Sequence, residues 1–241
     1  MLFCILGNSG VGKDTIVDLV EAQWDGYVKR LPMITDRPCR VSEKNDPNNY
    51  YEFVSSSYFK DNIPKLVEMR IYEVTGGSFW NYGTRKSLFD DAINDTAHHY
   101  ITTCTPYQFS AYFNYLPAEK RNRLFPLLVT MSSEKERLKR MLERVDDNDV
   151  YGIREVCRRF GQDKEYIYVP RNPNHDFVFC NDSEEDLTYI VNYICNIIRI
   201  DDSTELKPAQ DAALSELMSD LNAMKRICEN FTLYSLLKEE D

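Results

Sequence analysis

The 241-residue sequence has no Cys-x-x-Cys pair, and its seven cysteines are an odd number lying mostly within apolar segments. That pattern excludes a zinc framework and a disulfide scaffold, and it fits a reducing compartment. An excess of positive charge is also missing: 29 Lys and Arg stand against 39 Asp and Glu, leaving a formal net charge of -10. Non-specific binding to nucleic acid or to an acidic membrane needs a basic surface, so neither is expected as a partner. Any phosphate must meet local positive charge. No apolar run approaches the roughly 20 residues of a membrane span, and the N-terminus shows no basic region leading into a long apolar stretch. Internal repeats and low-complexity tracts are absent as well. These absences lead to the expectation of a cytoplasmic protein, and 43% apolar residues are ample for a buried core.

What is present begins at residue 7. The apolar run Leu2-Phe3-Cys4-Ile5-Leu6 is followed by Gly7-Asn8-Ser9-Gly10-Val11-Gly12-Lys13, and then by Thr15 to Trp24 with apolar Ile16, Val17, Leu19 and Val20. A buried strand, a glycine-rich turn and an amphipathic helix in that order aim backbone N–H groups at one point suited to phosphate. Gly7, Gly10 and Gly12 permit left-handed turns and close approach of the backbone, and Lys13 brings a mobile positive charge for a transferred phosphate. Gly7, Ser9, Gly10, Val11, Gly12, Lys13, Asp14 and Thr15 are therefore the candidate nucleotide contacts. The position after the lysine, where a Ser or Thr hydroxyl usually ligates Mg²⁺, holds Asp14. Its carboxylate could take the ion directly or through water, or it could start the helix, whose positive end favours an acid.

Further along, strands are expected at Leu2 to Leu6, Val28 to Ile34, Tyr50 to Val54, Leu66 to Val74, His99 to Cys104, Leu124 to Met131 and Phe177 to Cys180. Helices are expected at Thr15 to Trp24, Arg85 to Asn94, Pro106 to Leu116, Ser133 to Arg144, Val150 to Tyr166 and Ser183 to Arg199. The alternation predicts an α/β fold with a parallel central sheet flanked by helices. Residues 35–98 interrupt it with a polar, tyrosine-rich, mainly β insert, the usual place for a second substrate. After a linker near Asp201 to Thr204, apolar Leu214, Leu217, Leu221, Met224, Cys228 and Phe231 form one helical stripe. It reads either as a helix packed on its own domain or as an oligomerisation helix.

Within the insert, Thr35-Asp36-Arg37-Pro38-Cys39-Arg40 places two arginines three apart ahead of Tyr51-Glu52-Phe53-Val54. Two guanidinium forks and a phenol hydroxyl could clamp a dianionic phosphate. Glu73, nine residues before Tyr82-Gly83-Thr84, adds a carboxylate and a hydroxyl able to read the edge of a base. With its phosphate loop, this ordered set resembles the guanylate kinase family, a branch of the P-loop nucleoside monophosphate kinases, over roughly residues 1–200. The resemblance implies a core of residues 1–34 and 99–200, an acceptor-binding insert at 35–98 and a helical lid at about 144–158. It implies that Arg37, Arg40, Tyr51 and Tyr82 hold the acceptor phosphate while Glu73 and Thr84 face the base.

The resemblance extends to the lid, where Arg140, Arg144 and Arg159 match arginines that reach the transferring phosphoryl group, Arg158 competing for the last place. The alternative is an exposed helix held by acid and base pairs. Asn181-Asp182 matches an Asn-Asp near the adenine, or caps the helix that follows. Two departures stand out: the strand His99 to Cys104 lacks the family's paired aspartates, and Met33 occupies a position where many guanylate kinases have a guanine-touching Ser. The implied activity is phosphoryl transfer from Mg²⁺-ATP to GMP or dGMP. Alternatives are a kinase of the same fold acting on another nucleoside monophosphate or a sugar phosphate such as ribose 1,5-bisphosphate, and a binding module without catalysis.

Overall fold

The computed structural model describes residues 1–39, 43–44, 51–74, 76–146, 148–166 and 177–199. Arg40 and the apolar stripe beyond residue 200 lie outside them.

The architecture grows from β1 (Leu2–Leu6), in which all five residues are buried. Because a strand alternates faces, Phe3 and Ile5 enter one layer and Leu2, Cys4 and Leu6 the other. The first layer joins them to Ile16 and Val20 of α1 (Lys13–Gln23) and to Ile190 and Ile194 of α7 (Glu184–Arg199). The second joins them to Phe89 and Ile93 of α3 (Lys86–Asn94) and to Phe109 and Tyr112 of α4 (Pro106–Tyr115). Around β1 lie β2 (Val28–Arg30), β7 (His99–Cys104), β8 (Leu124–Thr130) and β9 (Val178–Cys180), in the order β2-β7-β1-β8-β9. All four pairings are parallel. A parallel sheet covered on both faces needs strands that are apolar throughout, as β1 and β8 are. The loop after the central strand thus leaves the carboxyl end of the sheet, where ligands of open α/β sheets bind.

A second sheet, β4-β3-β6-β5, is formed by β3 (Met33–Thr35), β4 (Tyr51–Phe53), β5 (Leu66–Val74) and β6 (Ser78–Arg85), and so takes in Met33 and Ile34, ahead of the 35–98 range expected for it. The single strand expected over Val28 to Ile34 is two strands in two sheets, broken at Leu31 and Pro32, where the proline offers no N–H to continue a ladder. Tyr82-Gly83-Thr84 lies inside β6, and Gly76 and Gly77, with φ of 99° and 75°, make the turn of the β5–β6 hairpin. A short helix, α2 (Ser56–Asn62), was not anticipated. Two further helices, α5 (Glu134–Leu142) and α6 (Val150–Tyr166), carry Arg140 and Arg159 respectively, and Arg144 lies in the connection between them, past the end of α5.

Candidate active site

The phosphate loop is shaped by its glycines and by what grips it from behind. Gly7, at φ 147°, runs so close to β8 that a Cβ there would stand 2.3 Å from the Val129 carbonyl oxygen. Gly12 caps α1 at φ 93°, and a Cβ there would meet the Asn181 amide nitrogen at 2.5 Å. Asn181 is buried and donates its Nδ2 to the Val11 carbonyl at 2.8 Å. Its side chain therefore holds the loop. Arg140 lies behind this corner, donating to the carbonyls of Asn181 and Asp182 at 3.0 and 3.1 Å. The structure thus gives Arg140 a bracing contact at 181–182.

Lys13 leans back over the loop and donates to the Asn8 carbonyl at 2.7 Å. Burial lowers its pKa, and the nearby Arg144 and Arg137 push the same way, while Asp14 and Asp163 oppose them. Asp14 and Thr15 are exposed in the first turn of α1.

Sequence reading missed the pair that clamps the loop from α5 and α6. Arg137 on α5, 1% exposed at its side chain, donates to the Ser9 carbonyl at 2.8 Å and to Asp163 Oδ2 at 2.9 Å. Asp163 Oδ2 also accepts the Ser9 N–H at 2.8 Å. One residue of the loop, Ser9, is held at both its N–H and its carbonyl by an ion pair that bridges α5 and α6. The Arg137 guanidinium lies 4.3 Å from the Phe160 ring centre and pairs with Glu134 as well. The only available signal was an α6 period placing Asp163 four residues after Arg159, which is too common to single out.

A cavity of about 430 Å³ opens in front of the loop, lined by Gly7, Asn8, Ser9 and Lys13 on one side and by Tyr51, Arg70, Tyr72, Trp80 and Tyr82 on the other, with Arg159 and Asp163 of α6 at its edge. Tyr82 meets Tyr51 and Tyr72 edge-on, at ring separations of 5.9 and 5.5 Å. A neighbouring cavity of about 700 Å³ shares Ser9, Trp80 and Arg159 and is lined by Gly10, Arg144, Val145, Asp146, Asp149 and Tyr151 among others. The structure therefore brings Lys13, Tyr51, Tyr82 and Arg159 around one space and sets Arg144 beside it. Arg159 is tied to Glu155 at 3.1 Å, as is Arg158 at 2.5 Å.

Three expected acceptor residues lie elsewhere. Arg37 is 4% exposed, sits between the Tyr51 and Phe53 rings, and forms a two-pronged ion pair with Glu43 at 2.7 and 2.5 Å. Thr84 is fully buried, bonded to Glu68 at 2.9 Å and to the Tyr112 hydroxyl at 2.7 Å. Glu73 is exposed and opposite Phe79, on the outer face of the hairpin. The carboxylate that does stand across from Thr84 is Glu68. Five residues separate the two glutamates, and an odd spacing in a strand puts them on opposite faces. Behind this floor, Gln108 Nε2 reaches the Tyr112 hydroxyl at 2.6 Å and Met33 Sδ at 3.3 Å, while its Oε1 is buried with no partner.

Among solved structures, a guanylate kinase from Anaplasma phagocytophilum is similar to this chain with a TM-score of 0.50 and 19% sequence identity, over 83% of this chain and 84% of that one. A gluconokinase from Sinorhizobium meliloti gives a TM-score of 0.40 at 10% identity, covering 83% of this chain and 96% of its own. A deoxyadenosine kinase from M. mycoides with bound dATP gives 0.34 at 15% identity, covering 83% and 100%. The first likeness shows the fold: a central parallel sheet flanked by helices, shared with a P-loop kinase. No protein-family model matches the sequence, and no curated protein is significantly similar to it. Among the described residues no helix is long and apolar enough to cross a membrane.

Proposed function

We propose that this chain is an ATP-dependent nucleoside monophosphate kinase, moving the γ-phosphoryl group of ATP to the phosphate of GMP or dGMP. The observation that carries the reading is the shared cavity. Lys13 and the phosphate loop face Tyr51, Tyr82 and the aromatic inner wall of the hairpin across one space, and Arg159 stands at its edge. A monophosphate acceptor is ionised near neutral pH and is itself the nucleophile, so no strong general base is needed. The work of such a site is alignment and charge compensation. The phosphate loop would orient the donor, Tyr51 and Tyr82 would donate hydroxyls to the acceptor phosphate, and Lys13, Arg144 and Arg159 would face the charge spread over the transferring group. Arg40 would join the acceptor clamp from outside the described residues, and Arg37 could join it on leaving Glu43. Closure of the lid implied at about 144–158 would exclude water and limit wasteful hydrolysis.

Mg²⁺ fits this donor set, since it keeps several waters and asks for one or two carboxylates besides substrate phosphates. Asp14 would hold it from the first turn of α1, and the ion would neutralise phosphate charge. Among the described residues no cluster of three His, Cys, Asp or Glu side chains offers a richer site.

The test is to incubate the purified chain with Mg²⁺-ATP and a panel of ribo- and deoxynucleoside monophosphates plus ribose 1,5-bisphosphate, reading ADP and product mass. Turnover on GMP and dGMP is the expected result. Turnover on another member alone would keep the mechanism and replace the acceptor, and silence across the panel together with ATP binding would support a binding module instead.

A further inference from the structure

The inner face of the β5–β6 hairpin sets Glu68, Arg70 and Tyr72 opposite Thr84, Tyr82 and Trp80. The Glu68 side chain has no exposed surface. One of its carboxylate oxygens accepts the Thr84 hydroxyl at 2.9 Å and the other accepts Arg70 Nε at 3.0 Å. To bind a ligand, Glu68 would have to break a buried ion pair, which is costly. Arg70 is the charged group of this floor that lines the cavity, beside Tyr72, Trp80 and Tyr82. It is fixed from behind by Glu68, its Nη2 lies 3.7 Å from Met33 Sδ, and its guanidinium stands 5.7 Å from the Tyr82 ring centre. Its Nη1 donates to no described residue. The reading group is therefore an oriented cation with hydrogens to spare and no lone pair of its own.

Resting on the kinase reading above, we propose that Arg70 recognises the acceptor base by its lone-pair edge, and that the acceptors are 6-oxopurine nucleoside monophosphates held through O6 and N7. A guanidinium fork matches those two atoms bidentately. The N1–H and N2 amino group of guanine would then go unread, because the carboxylate suited to them is consumed by Thr84 and Arg70. Hypoxanthine carries the same O6 and N7, so IMP should serve as well as GMP. Adenine presents an amino group where the fork needs an acceptor, and AMP should serve poorly. Tyr72, Trp80 and Tyr82 supply rings against which the purine can pack.

The deciding experiment needs only the unaltered full chain with Mg²⁺-ATP and four acceptors: GMP, IMP, AMP and 7-deaza-GMP. The expected result is IMP within about threefold of GMP in kcat/KM, and 7-deaza-GMP down about tenfold or more, since it has lost one arm of the fork. IMP falling far below GMP while 7-deaza-GMP equals it would overturn the proposal and leave the kinase reading standing. If no monophosphate turns over, the kinase reading fails, and tryptophan fluorescence titration with the same four compounds still decides the edge, because Trp80 lines the cavity. The same order of affinities supports the assignment, and absence of binding by all four overturns it. Arg70→Met, paired with Glu68→Gln so that no buried carboxylate is left alone, should erase the difference between GMP and 7-deaza-GMP.

Discussion

Replacing Asp163 with Ala tests whether the glycine-rich loop is held in place by α5 and α6. Asp163 Oδ2 accepts the Ser9 N–H at 2.8 Å and Arg137 Nη1 at 2.9 Å, with 18% of its side chain exposed against 1% for Arg137. A hydrogen bond to a charged group contributes about 1.5–3 kcal/mol, and here two are lost. Arg137 retains Glu134 at 2.7 Å and the Ser9 carbonyl at 2.8 Å, so its charge is not stranded, and the loss stays near the lower end of the roughly 3–5 kcal/mol that follows a fully broken buried pair. We therefore expect a destabilisation of about 3 kcal/mol, which for a chain of this size lowers Tm by about 6–12 °C. Asp163→Asn keeps an acceptor oxygen but no charge and should lose about half as much. Thermal melts and urea titrations followed by circular dichroism measure both. A change under about 0.5 kcal/mol for the alanine variant, the range of ordinary surface substitutions, would refute the reasoning.

Gly12→Ala should abolish ATP binding in calorimetry while leaving a folded chain, since the new Cβ would collide with the Asn181 amide at a backbone angle that side chains rarely adopt; unchanged affinity would contradict the loop assignment. Arg144→Ala should lower kcat by about 10³-fold or more with little change in ATP affinity, and equal losses in both would argue against a role confined to the transition state. Because burial lowers the Lys13 pKa, ATP affinity should decline on the alkaline side earlier than an ordinary lysine would cause. The same shift works against folding at low pH. The folded state's penalty on the charged lysine is complete below its folded pKa and fades as pH rises toward the unfolded value, so stability should climb across that interval. Lys13→Met should flatten that climb in urea titrations taken over the alkaline range.

The parallel core and the glycine-rich loop between β1 and α1 were legible from sequence because their signals are local. Five consecutive apolar residues, a glycine-rich turn and an amphipathic helix can each be read without knowing what lies across the chain. The ends of α1, α4, α6 and α7 fall within a few residues of where apolar periodicity and cap residues put them. Hairpin register is not local in this sense. Counting nine residues back from Tyr82 selects Glu73, but β5 and β6 pair so that Glu68 meets Thr84, and the odd separation sends Glu73 to the outside. Arg70 went unread for the same reason, as nothing in the order of residues says which strand face looks into the cavity.

By itself, then, the sequence determined that a strand, a phosphate loop and a helix would stand at the centre of an α/β sheet, because hydrophobic period and glycine geometry act over a few residues. Tertiary structure alone decided which charges are spent on one another. It bound Arg37 to Glu43, Arg137 to Asp163 and Ser9, Arg159 to Glu155, and Glu68 to Arg70 and Thr84, and it turned Lys13, Arg70, Tyr51, Tyr82 and Arg159 toward the shared space. Ion pairing depends on distance in three dimensions, and residues far apart in the chain, such as Ser9 and Asp163, reveal that distance only when the chain is folded.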